Sequence, residues 1–153
     1  MAADDVFEVF AGEEHTEENW KKAWPLLRKR TAAECHDVDL VSVDEDELVL
    51  RMEIGDHARQ PFGLLHGGIS MLLAESAASM HSCWGLDITR EHPVGIEITG
   101  SHLRSTTDGA VLARARVLSR GSTLIRHRVI IVEEDTEREL AEVRVTNLIR
   151  QMG

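Results

Sequence analysis

Apolar side chains recur at Trp20, Ala23, Trp24 and Leu27, the spacing of one helical face, and Thr16 stands where an N-cap belongs. This pattern runs from residue 16 to about residue 35. Pro25 lies inside it, so a kink or a pair of short helices is expected. Residues 38–43 and 48–54 read as two strands around the acidic turn 44–47, with a loop over 55–65. A long helix follows, with Ile69, Leu72, Leu73, Ser76, Ala77, Met80 and Trp84 on one face and Gly85 as its stop. Four strand-like runs complete the chain, at 94–104, 110–118, 124–133 and 140–149. Asp108-Gly109, Gly121 and Asp135-Thr136 mark the turns between them. In the third run Ile125, His127, Val129 and Ile131 share one side, opposite Leu124, Arg126, Arg128, Ile130 and Val132. Short connections favour antiparallel neighbours, and such a sheet can wrap one apolar helix. The expected class is α+β, a single domain over 1–153: a helical extension over 1–35 and a core over 36–150.

At 153 residues, 42% apolar and 29% charged, the chain has the make-up of one globular domain with a substantial core. A formal charge of −10 opposes general binding to nucleic acid or anionic membrane. Residues 1–10 lack a basic start followed by an apolar run, so no secretory signal is expected there. No uncharged stretch has the length of a membrane span; the nearest, 61–86, is interrupted by glycines, His66 and Glu75. Cys35 and Cys83 have no paired spacing. A cytoplasmic location is the expectation.

Between residues 61 and 86 the only formally charged side chain is Glu75. A carboxylate in so apolar a helix must be solvated, paired or protonated. On the helical wheel it lies away from the Ile69-Leu73-Met80 stripe and beside Ser79 at i+4. A half-buried carboxylate next to a hydroxyl suits general-base or nucleophilic work; the alternative is a structural ion pair with an arginine of a neighbouring strand. His66-Gly67-Gly68 opens the helix. Glycines admit a ligand to the backbone there, and the free N–H groups of a helix start favour negative charge, as on a developing oxyanion. Gln60 adds a neutral donor just upstream. The eight histidines suggest no metal site: HExxH and paired Cys/His spacings are absent, and His66, His81 and His102 fall on separate elements. A G-x-S-x-G elbow and glycine-rich phosphate loops are absent as well.

The run Gln60-Pro61-Phe62-Gly63-Leu64-Leu65-His66-Gly67-Gly68, followed by Ala74-Glu75-Ser76 and Ser79-Met80, resembles the hotdog-fold acyl-CoA thioesterases. The resemblance is specifically to their hydroxybenzoyl-CoA, phenylacetate-pathway and 1,4-dihydroxy-2-naphthoyl-CoA branch, and it runs from residue 32 to 150. The resemblance implies a hotdog fold, in which an antiparallel sheet wraps one long central helix, here with an extra N-terminal helix. It implies hydrolysis of an acyl-CoA, aryl or hydroxyaryl in type, without cofactor or metal. It also implies self-association as a homodimer or dimer of dimers, with active sites at the interface. By motif, Glu75 is the nucleophile or general base, the Gly67 N–H polarises the thioester carbonyl with Gln60 near it, His66 orients that end, and Ser79 helps place water. Gly68 belongs to the same helix start. Met71, Ser79, Met80 and His102 would form a short pocket, with His102 sensing ring hydroxyls. Family members often carry a basic residue directly after the glycine of the turn before the penultimate strand; in Arg120-Gly121-Ser122-Thr123 the arginine precedes it. Arg120, with Arg104 or Arg126, is the expected substitute for contacts to CoA phosphates; the alternative for Arg126 and Arg128 is a solvated strand face. The rival readings are a non-catalytic acyl-CoA-binding hotdog protein and a hotdog hydratase or dehydratase.

Overall fold

The computed structural model describes residues 14–151; residues 1–10, read above as no secretory signal, lie outside them. The N-terminal pattern resolves into two short helices, α1 (Glu17–Leu27) and α2 (Ala32–Cys35). Thr16 caps α1, its hydroxyl accepting the Asn19 N–H at 3.2 Å, and Thr31 caps α2 in the same way through the Ala33 N–H. Pro25 lacks the N–H that would bind one turn back, and α1 ends two residues later. Arg30 then turns the chain with φ 60°. Trp20 and Trp24 are buried against the core, and the Trp24 indole N–H donates to the Val38 carbonyl at 3.1 Å.

The strands β1 (Asp39–Val43), β2 (Glu47–Glu53), β3 (Glu91–His102), β4 (Ala110–Arg120), β5 (Leu124–Glu133) and β6 (Glu139–Gln151) form one antiparallel sheet in the order β1-β2-β4-β5-β6-β3. The central helix α3 (Gly67–Ser82) lies against β2, β3, β4, β5 and β6. Strand β3 begins three residues earlier than the sequence pattern suggests, because its ladder with β6 continues through Pro93 to Gln151. The proline is tolerated because β3 is an edge strand.

The rotation of α3 also differs from the expected face. Its buried residues are Ser70, Leu73, Ala74, Ala77, Ala78, His81 and Ser82, whereas Ile69, Leu72, Ser76 and Met80 are only half-buried. Small side chains let the helix axis approach the sheet, and the bulkier ones fill the flanks.

One polar contact ties α3 to the sheet inside this core. His81 and His127 are both fully buried. His81 Nε2 sits 2.8 Å from the Asp44 carbonyl, which can only accept, so that nitrogen carries the proton. Nδ1 of His81 therefore accepts from Nε2 of His127 at 2.9 Å, and Nδ1 of His127 has no partner among the described residues. Burial holds both imidazoles below the ordinary histidine range, His127 at about 3, with the charge of Arg120 acting in the same direction. In the unfolded chain both take up protons near pH 6.5. Their contribution is thus complete above pH 6.5 and is lost as pH falls toward 3. Roughly 4–5 kcal/mol of stability should disappear across that window, most of it through His127. Urea unfolding at pH 7 and pH 4 checks this: His127→Leu should show a clearly smaller acid loss than the wild type, and an equal loss would place the sensitivity elsewhere.

Candidate functional site

The loop before α3 is fixed by main-chain bonds: Gln60 N–H to the Leu64 carbonyl, Leu65 N–H to Thr106 and His66 N–H to Ala58, all at 2.8–2.9 Å. This delivers His66 as the N-cap of α3, its Nδ1 accepting the Gly68 N–H at 2.8 Å. The proton of that imidazole is thereby left on Nε2. The Gly67 N–H, the first of the helix, has no partner among the described residues, and it stands at the positive end of the helix dipole. His102, the last residue of β3, lies directly over Gly67: a Cβ on Gly67 would stand 2.7 Å from His102 Nε2. Glycine leaves that approach open, and any larger residue would have to displace the His102 ring. The Gln60 side-chain oxygen accepts the Phe62 N–H, which leaves the Gln60 amide hydrogens for a ligand. Gln60, Gly67, Ser70, His102 and Arg104 line one cleft of about 450 Å³. Arg104 is steadied there by a 2.9 Å bond to the Glu139 carbonyl. The cleft thus offers neutral and cationic donors around a helix N-terminus, which suits a carbonyl oxygen gaining negative charge.

Glu75 and Ser79 are not in that cleft. Glu75 is exposed rather than half-buried, because it faces the rim of the sheet where β3 has no further neighbour. Its Oε1 lies against Gly95, 2.6 Å from where a Cβ would stand on that residue, and Asn147 Oδ1 is 3.6 Å from the same point. The ladder has a bulge here, between Gly95 and Glu97. Bulges of this kind re-aim the strand beside functional sites. Ser79 follows Glu75 by one turn, and its hydroxyl is 3.0 Å from Asn147 Oδ1. Met71 lies between the two groups, with its sulfur against Gly100, and Met80 packs at the edge of the core.

Arg120 is remote from both groups. It sits at the far end of α3, where its guanidinium donates to the carbonyls of Trp84, His81 and Ser82 at 2.9, 3.2 and 3.4 Å. These carbonyls lie in and just past the last turn of the helix, where the His81 oxygen also accepts the Trp84 N–H, so the geometry is that of a C-terminal cap. Arg126 and Arg128 are on the outer side of the sheet, the latter paired with Glu142. Sequence reasoning missed Gly95 and Asn147. Both left a trace: a glycine within a strand marks a close approach, and an amide shares the inward side of β6 with Ala141, Val143 and Val145. Among the described residues, no cluster of His, Cys, Asp or Glu could hold a metal ion, and no helix is long and apolar enough to cross a membrane.

The model of the thioesterase superfamily matches residues 62–140. A 1,4-dihydroxy-2-naphthoyl-CoA hydrolase of Listeria monocytogenes is 34% identical over 114 residues, covering 74% of this chain and 91% of its own. Crystal structures of a mutant thioesterase from Pseudomonas aeruginosa and of a thioesterase from Haemophilus influenzae superpose with TM-scores of 0.82 and 0.80. Their identities are 28% and 27%, over 86% and 91% of this chain and 94% and 93% of theirs. Motif, topology and relatives agree: the chain belongs to the thioesterase superfamily and is a hotdog-fold thioester hydrolase.

Proposed function

We propose that the protein hydrolyses acyl-CoA thioesters with aromatic, hydroxylated acyl groups, in a site built by two copies of the chain with Glu75 as its carboxylate. The observation that carries this reading is the separation of Gly67 from Glu75. Eight residues along α3 amount to roughly 12 Å of helix axis. A glutamate side chain spans only part of that distance, and attack on a carbonyl needs its groups about 3 Å apart. One chain therefore supplies the Gly67 N–H, Gln60 and His102, while a second supplies Glu75 and Ser79. The free edge of the twelve-residue strand β3 offers a surface for such a pairing. Exposed Ile96 on that strand and Leu103 just past its end would be covered. The assembly is a homodimer, or a dimer of dimers.

In the reaction the thioester carbonyl oxygen lies on the Gly67 N–H and the Gln60 amide, with His66 Nε2–H at the same end. Glu75 either takes a proton from water or attacks directly. The carbonyl π electrons move onto oxygen, and their return breaks the C–S bond. The CoA thiolate leaves and is protonated, and the net reaction consumes one water and gives a free acid and a thiol. Arg104, at the mouth of the cleft, faces the CoA side. Met71, Ser79 and Met80 border the acyl group, and His102 beside Gly67 offers a hydrogen bond to a polar substituent that an alkyl chain lacks. Cys35 and Cys83 are both free thiols, which fits a reducing cytoplasm. The aromatic preference is also supported by the naphthoyl-CoA hydrolase among the relatives.

The test is thiol release from a panel of hydroxybenzoyl-, hydroxynaphthoyl-, benzoyl- and straight-chain acyl-CoAs. Hydroxylated aryl thioesters are expected to have a kcat/KM about one to two decades above alkyl thioesters of similar size. Equal values across the panel would remove the aromatic assignment, and no turnover of any member would remove the function.

A further inference from the structure

We infer that Asn147, buried on β6, is a positioning residue that fixes Ser79 as a hydrogen-bond acceptor toward the attacking water and so makes Glu75 a general base. This deepens the reading above and rests on it.

The direction of every bond in the chain of contacts follows from its far end. The Ala78 carbonyl can only accept, so the Ser82 hydroxyl places its one hydrogen there, at 2.9 Å. Ser82 Oγ can then only accept from Asn147, whose Nδ2 is 3.0 Å away. The amide is thereby oriented, with Oδ1 turned to Ser79, and the Ser79 hydroxyl must donate to it at 3.0 Å. Asn147, like Ser82, is fully buried. A reversed amide would leave buried groups facing one another without a bond. Ser79 consequently presents lone pairs alone on its open side, one helical turn from Glu75.

A water held between the two gives one hydrogen to Ser79 and the other to Glu75, and its remaining lone pair is free for the thioester carbon. The O–H bond to Glu75 breaks as the water oxygen bonds to that carbon. The π pair moves to the carbonyl oxygen on the partner's helix start. Its return breaks the C–S bond, and the departing thiolate takes the proton back from the Glu75 carboxyl. Were Ser79 free to donate, it could give its hydrogen to the Glu75 carboxylate and weaken the base. Asn147 prevents this without touching the substrate.

The experiment measures kcat and KM for 4-hydroxybenzoyl-CoA in the wild type, Asn147→Leu, Ser79→Ala and the double variant, with thermal unfolding of each. Asn147→Leu should lower kcat about tenfold with KM within about twofold. In the Ser79→Ala background the same change should lower kcat less than about twofold, because nothing remains for the amide to orient. A structural role would instead give equal losses in both backgrounds, and that result overturns the inference. So does an unchanged kcat in folded Asn147→Leu. If Asn147→Leu does not fold, Ser82→Ala replaces it: the amide is then free to turn over, and kcat should fall by about threefold only when Ser79 is present. A Ser82→Ala enzyme with wild-type kcat also overturns it. A wild-type enzyme that cleaves no thioester at all would instead refute the proposed function, and this inference with it.

Discussion

Replacing Glu75 with glutamine is expected to lower kcat by more than about a hundredfold while leaving the fold and substrate binding nearly intact. The amide keeps the shape of the carboxylate but can neither take a proton from water nor attack a thioester. The cost to stability should be small, within about 0.5 kcal/mol, because Glu75 is exposed and forms no ion pair or hydrogen bond among the described residues. Thiol release together with thermal unfolding checks both parts. A folded Glu75→Gln protein with a tenth or more of wild-type kcat would show that the carboxylate does not do the chemistry.

A second large effect is expected at an uncharged position beside that carboxylate, Gly95. A methyl group there would stand 2.6 Å from Glu75 Oε1 and 3.6 Å from Asn147 Oδ1. The first distance is well inside contact, but the atom it meets ends a flexible side chain. The fold can therefore yield by moving the carboxylate rather than the strand. A displacement of about 1 Å at a reacting group costs on the order of a hundredfold in rate. Gly95→Ala should accordingly lose most of its kcat and keep a melting temperature within a few degrees of the wild type. Wild-type kcat in a well-folded Gly95→Ala would mean that the place of Glu75 against this glycine has no part in turnover.

Much of the fold is legible in the sequence where burial is one-sided. The alternation of β5 places Ile125, His127, Val129 and Ile131 inside, and all four are buried. The length of α3 and its stop near Gly85 follow from spacing and glycine chemistry, and Gly85 does adopt a positive φ of 77°. The rotation of α3 is not legible, because its apolar residues surround the helix and fix no single face. Hydropathy favours Ile69, Leu72 and Met80, whereas close approach to a six-stranded sheet favours Ala74, Ala77 and Ala78. For the site, the motif points to Gln60, Gly67, Glu75 and Ser79 and the resemblance implies a site at an interface, while the structure divides these residues into two groups on one chain. That division comes from 1.5 Å of rise per residue and from the position of β3 at the edge. The role of Arg120 depends on where the turn after β4 folds back, and neighbouring residues do not encode that.

The shared site is tested most directly by mixing two inactive proteins, Glu75→Gln and Gly67→Val, after dissociation and reassociation. The added side chain at Gly67 would displace His102 and block the helix start, so each variant alone should be inactive. If each site takes Gly67 from one copy and Glu75 from the other, a mixed dimer holds one site with both changes and one with neither. Random reassortment should then restore roughly a quarter of wild-type thiol release. If both groups act within one chain, every site carries one lesion and the mixture stays inactive, which would contradict the account.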